Sequence, residues 1–279
     1  MKKLFNYTSK QISEIVNNKP FPYFKQDKFL NDDLFLQLNR DFTELKESGK
    51  INWTIIEPPK VTRVNEQKGV NYVIGGGGSN RGSIKPFKQL MDKYESWDYF
   101  IKKITSQESF DYFCDIFSNF NVFKNNLSLA IEQNEEWQIG CKISSFTNNY
   151  GYIIHPDNIN KVLSFLIYLD NKDWDEKTNE FGNGTQIWRV NDSSYHYDKS
   201  ENSIENQLRS GRHSKKIESL KENEADRVEM IDSIQFKPNR LVGFVRADYS
   251  YHSIYPMILS NNVNRNCFQI NIWKINRRY

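Results

Sequence analysis

Apolar residues recur with two different periods along this chain. In roughly the first 126 residues they repeat at helical spacing, and after that they come in short runs and alternations bounded by Gly, Pro, Asn and Asp. Thr8 with Gln11 makes a capping-box pattern ahead of Ile12, Ile15 and Val16, and Asn31-Asp32-Asp33 offers an N-cap and an acidic first turn before Leu34, Phe35, Leu38 and Phe42. Residues 51–56 alternate as a strand stopped by Pro58-Pro59. Phe87, Leu90, Met91, Tyr94, Trp97, Ile101 and Ile104 keep one face and predict a single helix; Thr105 with Glu108 then caps a second, whose face is Phe110, Phe113, Cys114 and Phe117. These stripes read as core-packing faces.

From Leu127 the pattern predicts strands at 127–132, 137–146, 152–155, 162–169, 185–190, 234–236, 241–245, 251–259 and 267–273. Many short strands with few helices between them indicate an antiparallel sandwich or barrel of jelly-roll type. The expected fold is mainly β with flanking helices: a jelly-roll core over 127–279, with the helices of 1–126 packed on one sheet. No repeat or low-complexity linker divides the chain, so one domain is expected over 1–279. A polar, charged stretch at 191–232 interrupts the plan; it is too long for an ordinary connection and reads either as a lid or partner surface or as a solvated excursion.

Composition narrows the function classes. The chain has 279 residues, 38% hydrophobic and 14% aromatic, enough for a substantial core. The 38 Lys and Arg against 35 Asp and Glu leave +3, too little to point to nucleic acid or a membrane surface. No apolar run approaches bilayer length, and Met1-Lys2-Lys3 is not followed by a signal-peptide apolar region, so a cytoplasmic protein is expected. Cys114, Cys141 and Cys267 are widely spaced and read as reduced core thiols.

The candidate chemistry begins at His155-Pro156-Asp157, just before the apolar run 162–169. In extended chain these two side chains project to one side. The chain has four histidines. His196 and His213 lie in the polar insertion and read as surface, whereas His252 sits in a late strand that a jelly roll would wrap onto the same sheet. Two imidazoles and a carboxylate on one face of a metal, with the remaining positions open, form the donor set that handles non-haem Fe(II) and oxygen. Arg265, on the next strand, carries a planar fork suited to a carboxylate, and Cys267 shares its face.

These residues resemble the Fe(II)/2-oxoglutarate-dependent oxygenases, most nearly the prolyl-hydroxylase-like branch. The resemblance runs through His155-Pro156-Asp157, Leu163 to Leu169, Trp174, Gly182 to Trp188, Lys237 to Phe244, His252 and Arg265-Asn266-Cys267; Pro20 to Phe24 and Phe29 to Asp33 look like the entry segment of many such proteins. It implies a double-stranded β-helix. It also implies that His155, Asp157 and His252 bind Fe(II) and that Arg265 pairs with the far carboxylate of 2-oxoglutarate, with O2 as the second co-substrate and ascorbate a candidate further cofactor. Cys267 and Tyr152 are candidate neighbours of the co-substrate. The chain departs from the family where Asn183 interrupts a glycine pair and where Cys267 replaces a serine or threonine. An intact carboxylate at Asp157 implies hydroxylation rather than halogenation. The implied substrate is an amino acid, a peptidyl residue or another small molecule. Two alternatives stay open: a jelly-roll metal- or ligand-binding protein without turnover, and the same cofactors driving desaturation or epimerisation.

Gly75 to Gly82 lacks the Gly-Lys-Ser/Thr ending of a phosphate loop and reads as a flexible loop or a lid. Tyr150 and Tyr152 read equally as pocket or core residues, and Trp188 as packing at the pocket's border.

Overall fold

Thr8 opens the first helix as its capping box predicts: its hydroxyl accepts the Gln11 N–H, and the Gln11 side chain accepts the Thr8 N–H, over α1 (Ser9–Ser13). This computed structural model describes residues 4–56, 71–75, 83–132, 134–147, 152–158, 160–169, 184–191, 228–254 and 264–275. Strand β1 (Tyr23–Gln26) follows, then α2 (Asp32–Glu47), whose N-cap Asn31 accepts from Leu34 N–H, and the short strands β2 (Thr54–Ile56) and β3 (Asn71–Gly75).

The expected long helix over 87–104 is instead a 3-10 turn (Lys85–Phe87) running into α3 (Lys88–Lys93), and then α4 (Glu95–Ile104). Tyr94 breaks it in an extended conformation, φ −129° and ψ 118°. Its N–H closes α3 on the Leu90 carbonyl, and its own carbonyl starts α4 by accepting from Trp97 and Asp98. The apolar stripe survives the corner, which is why periodicity alone does not reveal it. The cap of α5 (Gln107–Phe117) is Ser106 rather than Thr105, whose hydroxyl donates back to the Ile101 carbonyl at 2.7 Å.

A larger correction concerns residues 127–132, expected as the first core strand. They are the last turns of α6 (Asn121–Glu132). The alternating Leu127, Leu129 and Ile131 are 42%, 44% and 73% exposed, while Phe123 and Ala130, two helical turns apart, are buried. The alternation belonged to the solvent side. The jelly-roll core therefore starts at β4 (Glu136–Phe146) and continues through β5 (Tyr152–His155), β6 (Lys161–Tyr168), β7 (Thr185–Val190), β8 (Val228–Ile234), β9 (Leu241–Val245), β10 (His252–Ile254) and β11 (Arg265–Ile275). β8 lies before the expected 234–236 and takes in the end of the supposed insertion. It is an edge strand with mostly half-exposed side chains, so its sequence carries little apolar signal.

These eight strands and β1, β2 and β3 form two antiparallel sheets. One has the order β1-β9-β6-β11-β4-β3-β2 and the other β5-β10-β7-β8. From β4 to β11 successive strands pass from sheet to sheet, except that β7 and β8 pair within the small sheet, which is the winding of a double-stranded β-helix. On the outer face of the large sheet, Phe268, Ile270 and Ile272 of β11 and Phe165 and Ile167 of β6 pack with Trp97, Phe100, Phe113 and Phe117 of the helices. Each such aromatic contributes roughly 2–3 kcal/mol by leaving water. Residues of opposite parity face inward, where Phe146, Tyr168, Val242, Phe244 and Cys267 meet Ile187 and Ile234 of the small sheet. At Gly243 a side chain would enter two rings at once: a Cβ there would stand 2.5 Å from Phe24 and 2.7 Å from Phe165. No helix among the described residues is long and apolar enough to cross a membrane.

Candidate metal centre

β10 runs antiparallel beside β5 with His252 opposite His155. A direct cross-strand pair brings side chains together, and here the ring centroids are 4.4 Å apart. Asp157 follows two residues later, where the chain leaves β5 for β6. One ligand atom from each of His155, Asp157 and His252 lies within 4.8 Å of the others. The three residues expected to converge do so.

Their surroundings fix which atoms are free to bind. His252 Nδ1 lies 3.1 Å from the Ser250 carbonyl, so the hydrogen sits on Nδ1 and the Nε2 lone pair is left for a ligand role. Burial holds the His252 imidazole below its ordinary pKa although Asp157 and that carbonyl pull the other way, so the ring is neutral at neutral pH. For Asp157, burial alone would raise the carboxyl. The Lys161 ammonium and both imidazoles outweigh it and hold the group well below the usual carboxylate range. Lys161 Nζ donates to one carboxylate oxygen at 2.6 Å and Ser164 Oγ to the other, while Ser164 also reaches Asn271. Arg246 Nε donates to the Asp157 main-chain carbonyl at 3.2 Å and is itself paired with Asp248. The turn is thus held by side chain and backbone together.

Arg265 is 1% exposed, with its guanidinium carbon 5.2 Å from the Phe146 ring and 5.0 Å from the Tyr168 ring. Nη2 donates to the Tyr168 hydroxyl at 3.3 Å and to Thr185 Oγ1 at 3.4 Å. Nε and Nη1 are buried with no acceptor, and no carboxylate pairs with Arg265 among the described residues. A desolvated guanidinium with two empty donors calls for an anion from outside the chain. Cys267 lies on the same inward face, buried, and accepts from Gln269 Nε2 at 3.6 Å. Tyr152 is in β5 opposite Ile254, but its side chain lies outside the described residues, as do Tyr150, Trp174, Gly182, Asn183, His196, His213 and residues 76–82. Trp188 donates to Ser253 Oγ at 2.8 Å and packs with Tyr251 and Val190, away from the barrel interior.

Sequence reasoning missed Lys161, Ser164, Tyr168, Thr185 and Arg246. Two of them left a signal: Ser164 and Tyr168 are the polar members, on one strand face, of an otherwise apolar run. Two imidazoles and an ionised carboxylate suit a divalent cation such as Fe(II), and the empty Arg265 donors suit a dicarboxylate co-substrate. The donor chemistry therefore fits both groups.

No family model matches the chain, and no curated protein does. Among solved structures, the chain is similar to a prolyl hydroxylase from Trichoplax adhaerens in complex with a hypoxia-inducible-factor peptide fragment (16% identity, 95% of this chain and 90% of that one, TM-score 0.44). It is also similar to a Pseudomonas putida prolyl-4-hydroxylase (15% identity, 90% and 91%, TM-score 0.38). A non-haem alpha-ketoglutarate-dependent carbocyclase from nogalamycin biosynthesis gives 9% identity over 96% and 86%, with a TM-score of 0.48.

Proposed function

We propose that the protein is an Fe(II)- and 2-oxoglutarate-dependent dioxygenase that hydroxylates an unactivated C–H bond of an amino-acid, peptidyl or other small-molecule substrate. The observation that carries this reading is the pairing of two features inside one barrel: a His155–Asp157–His252 cluster and a buried Arg265 with two donors left empty. A jelly roll that only bound a metal would gain nothing from an unmatched guanidinium, because burying one costs free energy.

His155, Asp157 and His252 would hold the iron, and Arg265 with the Tyr168 hydroxyl would hold the far carboxylate of 2-oxoglutarate. When bound, the iron supplies oxidation of the substrate by O2, with 2-oxoglutarate leaving as succinate and CO2. The chain's own part is to orient and to exclude. Lys161 and Ser164 keep Asp157 ionised and aimed, Ser250 sets the His252 tautomer, and Phe244 lies against the His252 ring with centroids 4.5 Å apart. Phe146, Tyr168 and Ile187 keep water from the interior, where the Arg265 contact is strongest.

The test is succinate formation from 2-oxoglutarate that requires Fe(II) and O2 together. Wild type should give a slow substrate-free turnover, and Asp157→Ala should give none. Succinate at the level of a protein-free control, in wild type carrying stoichiometric iron, would contradict the proposal.

A further inference from the structure

Lys142 lies in β4 on the parity of Ser144 and Phe146, opposite Gln269 of β11. Gln269 is four residues past Arg265 toward the end where Trp273 meets Lys161, a distance of about 13 Å at the usual rise of a strand. Its parity turns the Lys142 side chain to the inward face of β4, within electrostatic reach of Lys161 and Asp157. Lys161 is matched by Asp157, but among the described residues Lys142 makes no hydrogen bond or ion pair. Burial pushes its pKa down to about 8, and the neighbouring Lys161 pushes the same way. At neutral pH it is still largely a cation.

A cavity of about 680 Å³ opens against Lys142, between β3 and the start of α3. Its described lining includes Thr54, Val73, Lys85 and Gln89, and it contains three lysines and no acid. Lys88 is neutralised by Asp92, whereas Lys85 and Lys142 have no acidic partner among the described residues. The volume is that of a small-molecule site. A neutral ligand filling it would strand the Lys142 ammonium without water or counter-charge, which is costly; an anion would relieve it.

We propose that this cavity is the substrate's approach to the metal centre and that Lys142 binds a substrate carboxylate, so that the substrate is a small organic acid rather than a neutral peptide segment. Lys85 is exposed to solvent, so the one unmatched ammonium on the interior side is that of Lys142; it balances a monoanion, which favours a carboxylate over a phosphate dianion. The inference rests on the oxygenase reading and adds the substrate's chemical class to it.

The probe is a panel of free L-amino acids and small aliphatic carboxylic acids, each paired with its primary amide and, where one exists, a phosphate ester. Each is added to protein loaded with Zn(II) and 2-oxoglutarate, and the melting temperature is read. At least one acid should raise it with dose while its amide and phosphate ester do not. Lys142→Met should weaken that response at least tenfold and Lys142→Arg should retain part of it, while both variants still form the Fe(II)–2-oxoglutarate chelate. Equal responses to acid and amide, preference for the phosphate ester, an unchanged response in Lys142→Met, or silence from every acid would each overturn the inference. Loss of 2-oxoglutarate affinity in Lys142→Met would overturn it too, by assigning Lys142 to the co-substrate. Should Lys142→Met not fold, Lys142→Gln carries the same expectation. Failure of the oxygenase reading itself would look different, because wild type would then form no chelate.

Discussion

Asp157 is buried, and a buried carboxyl ordinarily tends to take up a proton; here Lys161 and two imidazoles face it and keep it charged. That arrangement makes the metal site sensitive to residues that never touch the metal. Arg246→Met frees the Asp157 carbonyl and should weaken divalent-metal affinity about 10–100-fold, the usual effect of losing such support, as read by competition with a metal-sensitive dye. The empty donors of Arg265 make a separate forecast. Arg265→Ala should leave metal affinity unchanged and weaken 2-oxoglutarate by roughly 30-fold or more, since truncating one side of a buried charge pair costs about 2–5 kcal/mol. Arg265→Lys should not restore it, because an ammonium cannot fill both sides of the fork. Tyr168→Phe removes one of the hydrogen bonds proposed to reach the co-substrate, about 1 kcal/mol, and should cost only several-fold in 2-oxoglutarate affinity. The clustering of His155, Asp157 and His252 was legible in the sequence because a donor set of this kind needs scarce residue types, and there are only four histidines to choose from. Lys161 and Arg246 were not, because lysine and arginine are common and only the folded turn shows what they hold.

Packing at the level of elements depends on parity along the strands. Gly243 lies where β9 passes beneath Phe24 and Phe165, and any side chain there must displace rings held by the helices. Gly243→Ala should destabilise the fold by about 1–3 kcal/mol, the usual cost of overpacking, seen as a lower denaturant midpoint with an unchanged slope. The boundaries of β7 and β9 could be read from the sequence because both strands carry inward and outward apolar residues between clear turn signals. α6 could not, since its exposed Leu127, Leu129 and Ile131 imitate a strand. The corner at Tyr94 was hidden for the complementary reason, that both helices it joins keep their apolar faces on the same core.

At the scale of the whole molecule, the winding of the chain between two sheets makes the site. It sets β10 beside β5, makes His252 the partner of His155, and puts β11 next to β6 so that Arg265 shares an interior with both. Because the site is buried, its charges are tied to folding. Asp157 and His252 both hold protons less readily when folded than unfolded, so unfolding takes up protons and stability of the metal-free protein rises with pH through their range. Acidification should therefore destabilise it in two stages, first below about pH 6.5 as unfolded His252 takes up a proton and becomes charged, then below about pH 4 as unfolded Asp157 takes one up and becomes neutral. Denaturant midpoints at pH 7, 6 and 5 should show the first stage, and His252→Gln should flatten it. The most direct measurement of the central claim is an anaerobic titration of the protein with Fe(II) and 2-oxoglutarate, following the visible charge-transfer band of the chelate in wild type, His155→Ala and Arg265→Ala. The account predicts a band in wild type, none in His155→Ala, and one in Arg265→Ala that needs far more 2-oxoglutarate. A folded, metal-loaded wild type that gives no band would contradict it.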